Sequence, residues 1–573
     1  MQKIIYKSMI LLAVFFSALA FAQTAKDKLG LSAFPQESIY VHYNSSLFLT
    51  GEYIYYSVYC LDRQSRTFSN LSKIAYVELI NDEGNVVFKH KIKLENGRGQ
   101  GDFFIPSDTP SGSCKLFGYT QFMRNGPQED FFQGNVIVVN PYTNNQQKFR
   151  GKSETVHSNE SVEKSNVLSA SLNKDNFNTR DKVTLQLKAF STISTEKSFS
   201  VSVRKKDEIT TPLIPTAKFH IRTITSKAPI TLKKQELLPE LRGELISGKA
   251  LSNVTSKTLS NESLVVSIPD DDYFFSTIKT DEKGNFYINL FDYGGDEIFF
   301  QGLGTGNELK VALNTHEELD IDNTPFYQFN LDQDMRKTIV QRSIRNQIEN
   351  NYFSFKPDSV KIQPKKVPFY GNVGESYILD EYTRFKTFRE TVIEILRSVT
   401  IKRVGGDEKI EVDAYFEKDN QSGFLPLILV DGYYTQDYEK LLEFDARKIE
   451  KISVLSGKYV MGPQVFQGVI DIATFDENYT EFLDYEQRNR FSLFAPQPRK
   501  YYFNQVYGDE NNAADRIPDF RHQLLWNPNI TMVGETNTIE FFTSDVEGEY
   551  EISIEGFTSD LKPISLKETF EVK

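Results

Sequence analysis

Between Ser38 and Pro141, apolar and polar residues alternate in seven short runs: YVHYNSSLFLTG, EYIYYSVYCLD, KIAYVELI, VVFKHKIKL, GDFFIP, CKLFGYTQF and GNVIVV. Turn residues separate each run from the next. A period of two sends successive side chains to opposite faces of a strand, so each run buries one face and needs a second sheet to bury it against. This pattern predicts a β-sandwich over residues 36–141. The 45 Phe and 29 Tyr, against one Trp, suit half-buried strands throughout the chain.

The same logic extends the fold class to mainly β, with several sandwiches in tandem and one small α+β domain. Residues 142–163 are polar and read as a linker. LSASLNKDNFNTRDKVTLQLKAF and SFSVSVRKKDEI predict a second β domain over 166–223. A third, over 241–320, carries RGELISG, ESLVVSIP, YFFSTIKT, GNFYINL, DEIFFQGL and LKVAL, with Gly284 in a hairpin turn. Residues 331–353 predict a connecting helix with Ile339, Ile344 and Ile348 among Arg336, Lys337, Arg342 and Arg345.

The α+β domain spans 381–474. Phe385, Phe388, Val392, Ile395, Leu396 and Val399 fall at helical spacing and predict an amphipathic helix from Glu381 to Ser398. Its Phe388, Val392, Ile395 and Leu396 are expected to face Leu427, Leu429, Ile452, Val454, Val469 and Ile470. A last β segment, 517–573, has only four runs, too few for its own core, and is expected to take strands from the region before residue 381.

The first 22 residues read as a cleaved export signal: Lys3 and Lys7, an apolar run from Met9 to Phe21, then Ala20-Phe21-Ala22. No cysteine stands near that cleavage site, and no other stretch approaches a transmembrane segment. Removing the leader takes the formal charge from -12 to -14, with both signs interspersed, which argues against a nucleic-acid partner. Export permits a disulfide between Cys60 and Cys114, closing a loop of about 55 residues and worth ~4 kcal/mol on the chain-entropy account. The alternative is two buried thiols packing as small hydrophobes.

Catalytic chemistry is not legible. The six histidines show no paired metal spacing, and His316-Glu317-Glu318 has no second His at helical distance. There is no G-x-S-x-G elbow and no Cys/His pattern. Gly302, Gly304 and Gly306 lack a following Lys-Ser/Thr, and Asp270 to Asp272 read as a solvated turn. The expectation is a protein that is not an enzyme and has no cofactor or metal.

Phe424 to Thr474 resembles the plug of TonB-dependent outer-membrane transporters. The residues that carry this are the apolar strand ending Val430-Asp431-Gly432, then Phe444, Asp445, Ile449 and Glu450, the strand from Lys451 to Leu455 closed by Gly457, and Gly468-Val469-Ile470. Only 99 residues follow Thr474, whereas even the smallest transmembrane barrel needs about 8 strands of about 10 residues plus turns. The segment before Gly468 departs from the family, offering Tyr459, Val460, Met461, Val465 and Phe466, which read equally as a contact surface or as filling for the domain's own core. Residues 36–141, through Gly51-Glu52, Leu71 to Lys73, Tyr76 to Leu79 and Tyr119 to Asn125, resemble bacterial macroglobulin-type sandwiches, as does 517–573 around Trp526, Asn527, Pro528 and Gly548. Residues 241–320 are similar to the carboxypeptidase regulatory domain that precedes many Bacteroidota plugs.

These resemblances imply an exported periplasmic or outer-membrane-associated interaction protein, with the plug-like domain docking on an outer-membrane β-barrel complex in transport, assembly or secretion. A macroglobulin-derived protease-binding or defence protein is the alternative. Neither cysteine has the context of a macroglobulin thioester.

Overall fold

The computed structural model describes residues 36–143, 165–190, 195–227, 237–270, 272–291, 293–303, 309–314, 318–361, 367–371, 374–413, 424–483, 489–508 and 516–573. The expected leader, most of the 142–163 linker, His316, Glu317, Asp271, Gly304 and Gly306 lie outside them. The chain is mainly β and divides into two compact units. Unit 1 runs to Leu241 and adds Leu319–Lys361 and Pro496–Lys573; unit 2 is Arg242–Glu318 with Ile362–Ala495. Among the described residues no helix is long and apolar enough to cross a membrane.

Unit 1 opens with the sandwich that the alternation predicts. One sheet pairs Glu37–Tyr43 and Arg98–Phe104 with the two edges of Tyr53–Asp62. The other runs Leu47–Leu49, Phe132–Val139, Gly112–Tyr119, Ile74–Asn81, Val86–Lys93. Ile39 and Val41 of the first sheet meet Gly118 of the second, and Tyr43 meets Gly134, while Tyr40 and Tyr59 on the other face of the first sheet are also fully buried and donate to Glu555. The buried Glu37 carboxylate is satisfied by the hydroxyls of Ser69, Ser72 and Thr120 at 2.6, 2.6 and 2.8 Å, which ties the first strand to two loops.

Cys60 and Cys114 are both buried free thiols, so the disulfide is not formed. The reason is placement. Ile39, which pairs with Cys60, sits against Gly118, and Cys114 stands four residues further along that strand, roughly 13 Å away and beyond the Cα reach of a disulfide. The Cys60 thiol donates to Glu37 at 3.5 Å. Burial pushes both thiols up, Cys60 also feeling the neighbouring Glu37 charge. Reductant is therefore expected to leave the thermal midpoint unchanged, and thiol titration of the unfolded chain should count two free groups.

The second domain expected at 166–223 is not a domain on its own, and neither is 517–573. Together they form one sandwich. Leu168–Leu172, Lys182–Ala189 and Thr536–Phe542 make one sheet; Asn176–Phe177, Pro563–Val572, Gly548–Thr558, Lys197–Lys205 and Gln523–Met532 make the other. Lys197–Lys205 is an interior strand, bonded on one side to Gly548–Thr558 and on the other to Gln523–Met532. Its Val201 and Val203 pack with Leu185, Phe541, Ile552 and Ile554. Four strands could not close this core; the borrowed ones do.

Residues 217–226 are not β but a helix, Ala217–Ser226, started by the Thr216 hydroxyl accepting from Phe219 N at 3.1 Å. Its first amide donates to the fully buried Glu555 carboxylate at 2.7 Å, which also accepts from Ser565 and Tyr40 at 2.7 and 3.2 Å. Burial outweighs these donors and pushes the Glu555 carboxyl up to about 7. The folded state then holds a proton that the unfolded state releases near 4.5, so this group's contribution falls as pH rises from about 4.5 to about 7. Relative to wild type, Glu555→Gln is expected to be about 3 kcal/mol more favourable at pH 8 than at pH 4, measured by urea unfolding.

Unit 2 contains a sandwich and an α+β layer. The sandwich sets Asn285–Leu290, Glu244–Ser252 and Leu309–Leu313 against Phe274–Lys279, Ser263–Ile268, Glu297–Gly302 and Arg490–Ser492. The α+β layer is a mixed sheet in the order Glu375–Ile378, Ile449–Met461, Gln464–Thr474, Leu427–Val430, Tyr433–Tyr434. Helices Phe388–Glu394 and Tyr438–Glu443 cover one face. The first is shorter than the expected 381–398 because a capping box fixes its start, with Thr387 accepting from Glu390 N and Glu390 accepting from Thr387 N.

The facing of that helix also needs correction. Phe388, Val392 and Leu396 pack with Ile428, Val430, Ile452, Val454 and Ile470. Leu427, Leu429 and Val469 point to the opposite face, against Val265 and Phe275. Ile395 is only partly buried.

Candidate functional site

The five residues singled out before Gly468 do not form a loop. They belong to a long hairpin, Ile449–Met461 with Gln464–Thr474, turned by Gly462-Pro463 alone. The register opposes Tyr459 to Phe466 and Val460 to Val465. Strand period then divides the set. Tyr459, Met461 and Phe466 face inward, with Phe466 buried among Val265, Phe275, Tyr370 and Leu427. Val460 and Val465 face outward, Val460 being 66% exposed and Val465 half-buried.

The hairpin is pinned along its length. Tyr459 donates to Phe369 O at 3.0 Å, the Thr277 hydroxyl donates to Met461 O, and Gln464 donates to Ser263. Gly462 has φ +52°, and a Cβ there would come within 2.7 Å of Thr277 O. The Val-Asp-Gly signature is likewise a structural turn. Asp431, at φ 49°, accepts from the Thr474 amide and hydroxyl at 2.8 and 2.7 Å, and a Cβ on Gly432 would meet Tyr273 Cβ at 2.2 Å. Beside it, Tyr273 and Tyr370 donate to Asp471 at 2.8 and 2.7 Å. Burial raises the Asp471 carboxyl despite them.

Sequence reasoning missed a cleft in unit 1. It holds about 150 Å³ and is lined by Glu52, Tyr53, Tyr55, the end of helix Arg336–Asn351, Phe353, Asp358, Tyr502, residues 520–524 and Trp526. Its aromatic rings form a row with near-parallel planes: Phe353 to Tyr53 6.0 Å, Tyr53 to Tyr55 5.6 Å, Tyr55 to Trp526 6.1 Å. Phe353 is 43% exposed and Trp526 4%, so the row runs from the surface inward. Tyr502 stands edge-on to Tyr55 at 5.0 Å.

A charged framework holds the cleft. Arg342, read from the sequence as one of the polar residues around the helix's isoleucines, is buried; it forks onto Glu52 with two bonds of 2.7 Å and reaches Asp207. Burial alone would raise the Glu52 carboxyl, but the Arg342 charge and its hydrogen bonds hold it down to about 2. Arg521 forks onto Asp519 at 2.7 and 2.6 Å, and Lys356 bridges Asp519 to Glu349. Arg204 lies 3.7 Å from Glu52 and over the Phe48 ring, yet its Nε and Nη2 have no hydrogen-bond acceptor in the protein. Trp526 Nε1 likewise has no acceptor, and His522 Nε2 has no hydrogen-bond partner. The only sequence signal was Tyr53 and Tyr55 at strand spacing on the outward side of a strand whose Ile54 and Tyr56 are core.

The sequence matches no known family, and no curated protein is similar to it. Among solved structures it is similar to Salmonella alpha-2-macroglobulin reacted with methylamine (9% identity, TM-score 0.23). It is also similar to the native conformation of Escherichia coli alpha-2-macroglobulin (9%, 0.23) and to that protein activated by porcine elastase (8%, 0.24). The likeness covers 94% of this chain and 39%, 40% and 44% of those chains. At such scores it carries no argument about the site, which is read from its own residues.

Proposed function

We propose that this chain is an exported, non-enzymatic interaction protein of the bacterial envelope, and that its plug-like domain docks on an outer-membrane β-barrel complex in transport, assembly or secretion. The observation that carries the reading is the two-sided hairpin. Its inner face is committed to the core, while its outer face presents Val460, Val465 and, beside them through Leu425 O accepting from Gln467 N, the exposed Phe424 and Leu425. A rigid apolar projection loses little conformational entropy on binding, and recognition energy concentrates on a few such anchors.

The test is a pull-down from detergent-solubilised envelopes with wild type and a Val460→Asp/Val465→Asp double variant. Both side chains face outward, so the variant is expected to keep its circular dichroism and to lose its barrel partners. Equal recovery of the same barrels by the folded variant would remove this face as the docking site.

A further inference from the structure

We infer that the outward face of helix Arg336–Asn351 in unit 1 docks an acidic, amphipathic helix of a partner protein. This is independent of barrel docking by the hairpin of unit 2.

The helix is turned inside out. At about 100° per residue, Arg342, Ser343, Asn346, Glu349 and Asn350 share one side, and Val340, Ile344 and Ile348 share the opposite one. The polar side is the one that packs. Arg342 donates to Leu47 O, Asn346 and Asn350 donate to Thr50 O and Gly51 O at 3.4 and 2.8 Å, and Glu349 accepts from Phe520 N and Lys356. The carbonyls of the bend after Leu47–Leu49 need these donors, which explains why the polar side faces in. The apolar side is left facing out, with Val340 45% exposed, Ile344 52% and Ile348 half-buried. Aliphatics at i, i+4 and i+8 form the ridge that one helix offers to the groove of another, here about 12 Å long. All three are β-branched, so the helix already fixes their rotamers and docking costs them little freedom.

Charge selects the partner. Arg336, Lys337 and Arg345 stand beside the row, and none of the three makes an ion pair among the described residues. The one acid of the helix, Glu349, is turned inward, and Asp332 and Asp334 precede the first turn. The face therefore carries three positive charges and no negative one, in a chain whose formal net charge is -12. A symmetric pair of these faces would set cation against cation, which argues against a second copy. A lipid surface fits poorly too. Exposed Gln341, Gln347 and Asn351 stand among the aliphatics, and a bilayer would strip their water without replacing it. A helix with its own apolar row between carboxylates answers every group: aliphatics to the ridge, carboxylates to the cations, and side-chain acceptors to the amides.

The probes are two labelled helical peptides of about 20 residues with the same leucine row, flanked by glutamates in one and by lysines in the other. Each is titrated with the full-length protein and followed by fluorescence anisotropy. The glutamate peptide is expected to bind with a Kd of about 1 mM or tighter, and to weaken about fivefold from about 50 to about 500 mM salt. The lysine peptide is expected not to bind. Val340→Asp/Ile344→Asp, at exposed positions, should keep the circular dichroism and lose about tenfold or more in affinity. Arg336→Glu/Lys337→Glu should shift the preference to the lysine peptide. No binding of the glutamate peptide up to about 1 mM, or equal binding of both peptides, overturns the inference. So does an Ile344→Cys thiol that maleimide cannot reach in the native protein, because the chain would then cover the row itself; Cys60 and Cys114 are buried and give no competing signal. Self-association, or binding to phosphatidylglycerol vesicles, that Val340→Asp/Ile344→Asp abolishes would assign the face to a second copy or to lipid and overturn it as well.

Discussion

Arg342→Ala is expected to destabilise unit 1 by about 3–5 kcal/mol, the usual result of removing one partner from a buried ion pair. Arg342 satisfies both oxygens of Glu52, reaches Asp207 and donates to Leu47 O at 2.9 Å, so its loss strands two carboxylates and a carbonyl together. The pH dependence gives the mechanism. With its carboxyl held at about 2 against an ordinary 4.5, Glu52 contributes stability that is fully present above about 4.5 and lost as pH falls through about 2. Urea unfolding should therefore show the gap between wild type and Arg342→Ala widest at neutral pH and narrowing below about 4.5. A gap unchanged between pH 7 and pH 3 would mean that lost packing, not the ion pair, sets the cost.

In unit 2 the largest single effect is expected at Phe466. Truncating a buried phenylalanine to alanine costs about 3–5 kcal/mol through lost burial and the cavity left behind, and Phe466 is 3% exposed in a tight cluster. Val460→Ala, six positions earlier on the opposite strand and facing outward, should stay within about 0.5 kcal/mol. Comparing protease resistance of the two variants separates the faces of one hairpin. Equal sensitivity would show that the inward and outward assignment is wrong. The contrast also fixes how the docking test must be built. Exchanging all of Val460 to Phe466 for a flexible linker would remove a core residue and unfold the layer being tested.

What was legible in the sequence was whatever local periodicity specifies. The strands of residues 36–141 were located by alternation, although the fold buries both faces of Glu37–Tyr43, Ile74–Asn81 and Gly112–Tyr119, polar positions included. The strand Leu427–Val430 is buried on both faces and reads as a continuous apolar run. Nothing in such a run tells odd positions from even, and the expected facing of Leu427 and Leu429 was reversed. The helix near Phe388 was recognised by spacing but drawn too long, because the periodic residues continue past the capping box that sets its start.

Tertiary placement was the part the sequence withheld. Arg342 sat among the charged residues of a helix pattern, and only the fold brings Glu52 and Asp207 to it. The aromatic row draws on Tyr53, Tyr55, Phe353 and Trp526, from three separate stretches of chain, and no one element shows a platform. The two cysteines were judged by compartment and loop length. Their positions on opposite sheets were not deducible from either.

The divided sandwich of unit 1 sets a timetable for biosynthesis. Lys197–Lys205 is an interior strand of its sheet, yet the neighbours on both its edges, Gln523–Met532 and Gly548–Thr558, come from the far end of the chain. At about 5–20 residues per second, the stretch between Lys205 and Gln523 takes roughly 15–60 s to make. Through that interval the strand has two bare edges and only the earlier strands, through Leu185, to cover Val201 and Val203, and bare edges recruit other chains. Arg242–Ala495 can meanwhile close around its own cores. A nascent chain of this protein is thus half finished and adhesive until its last strands arrive, and its yield in a cell will depend on whatever shields that one strand while it waits.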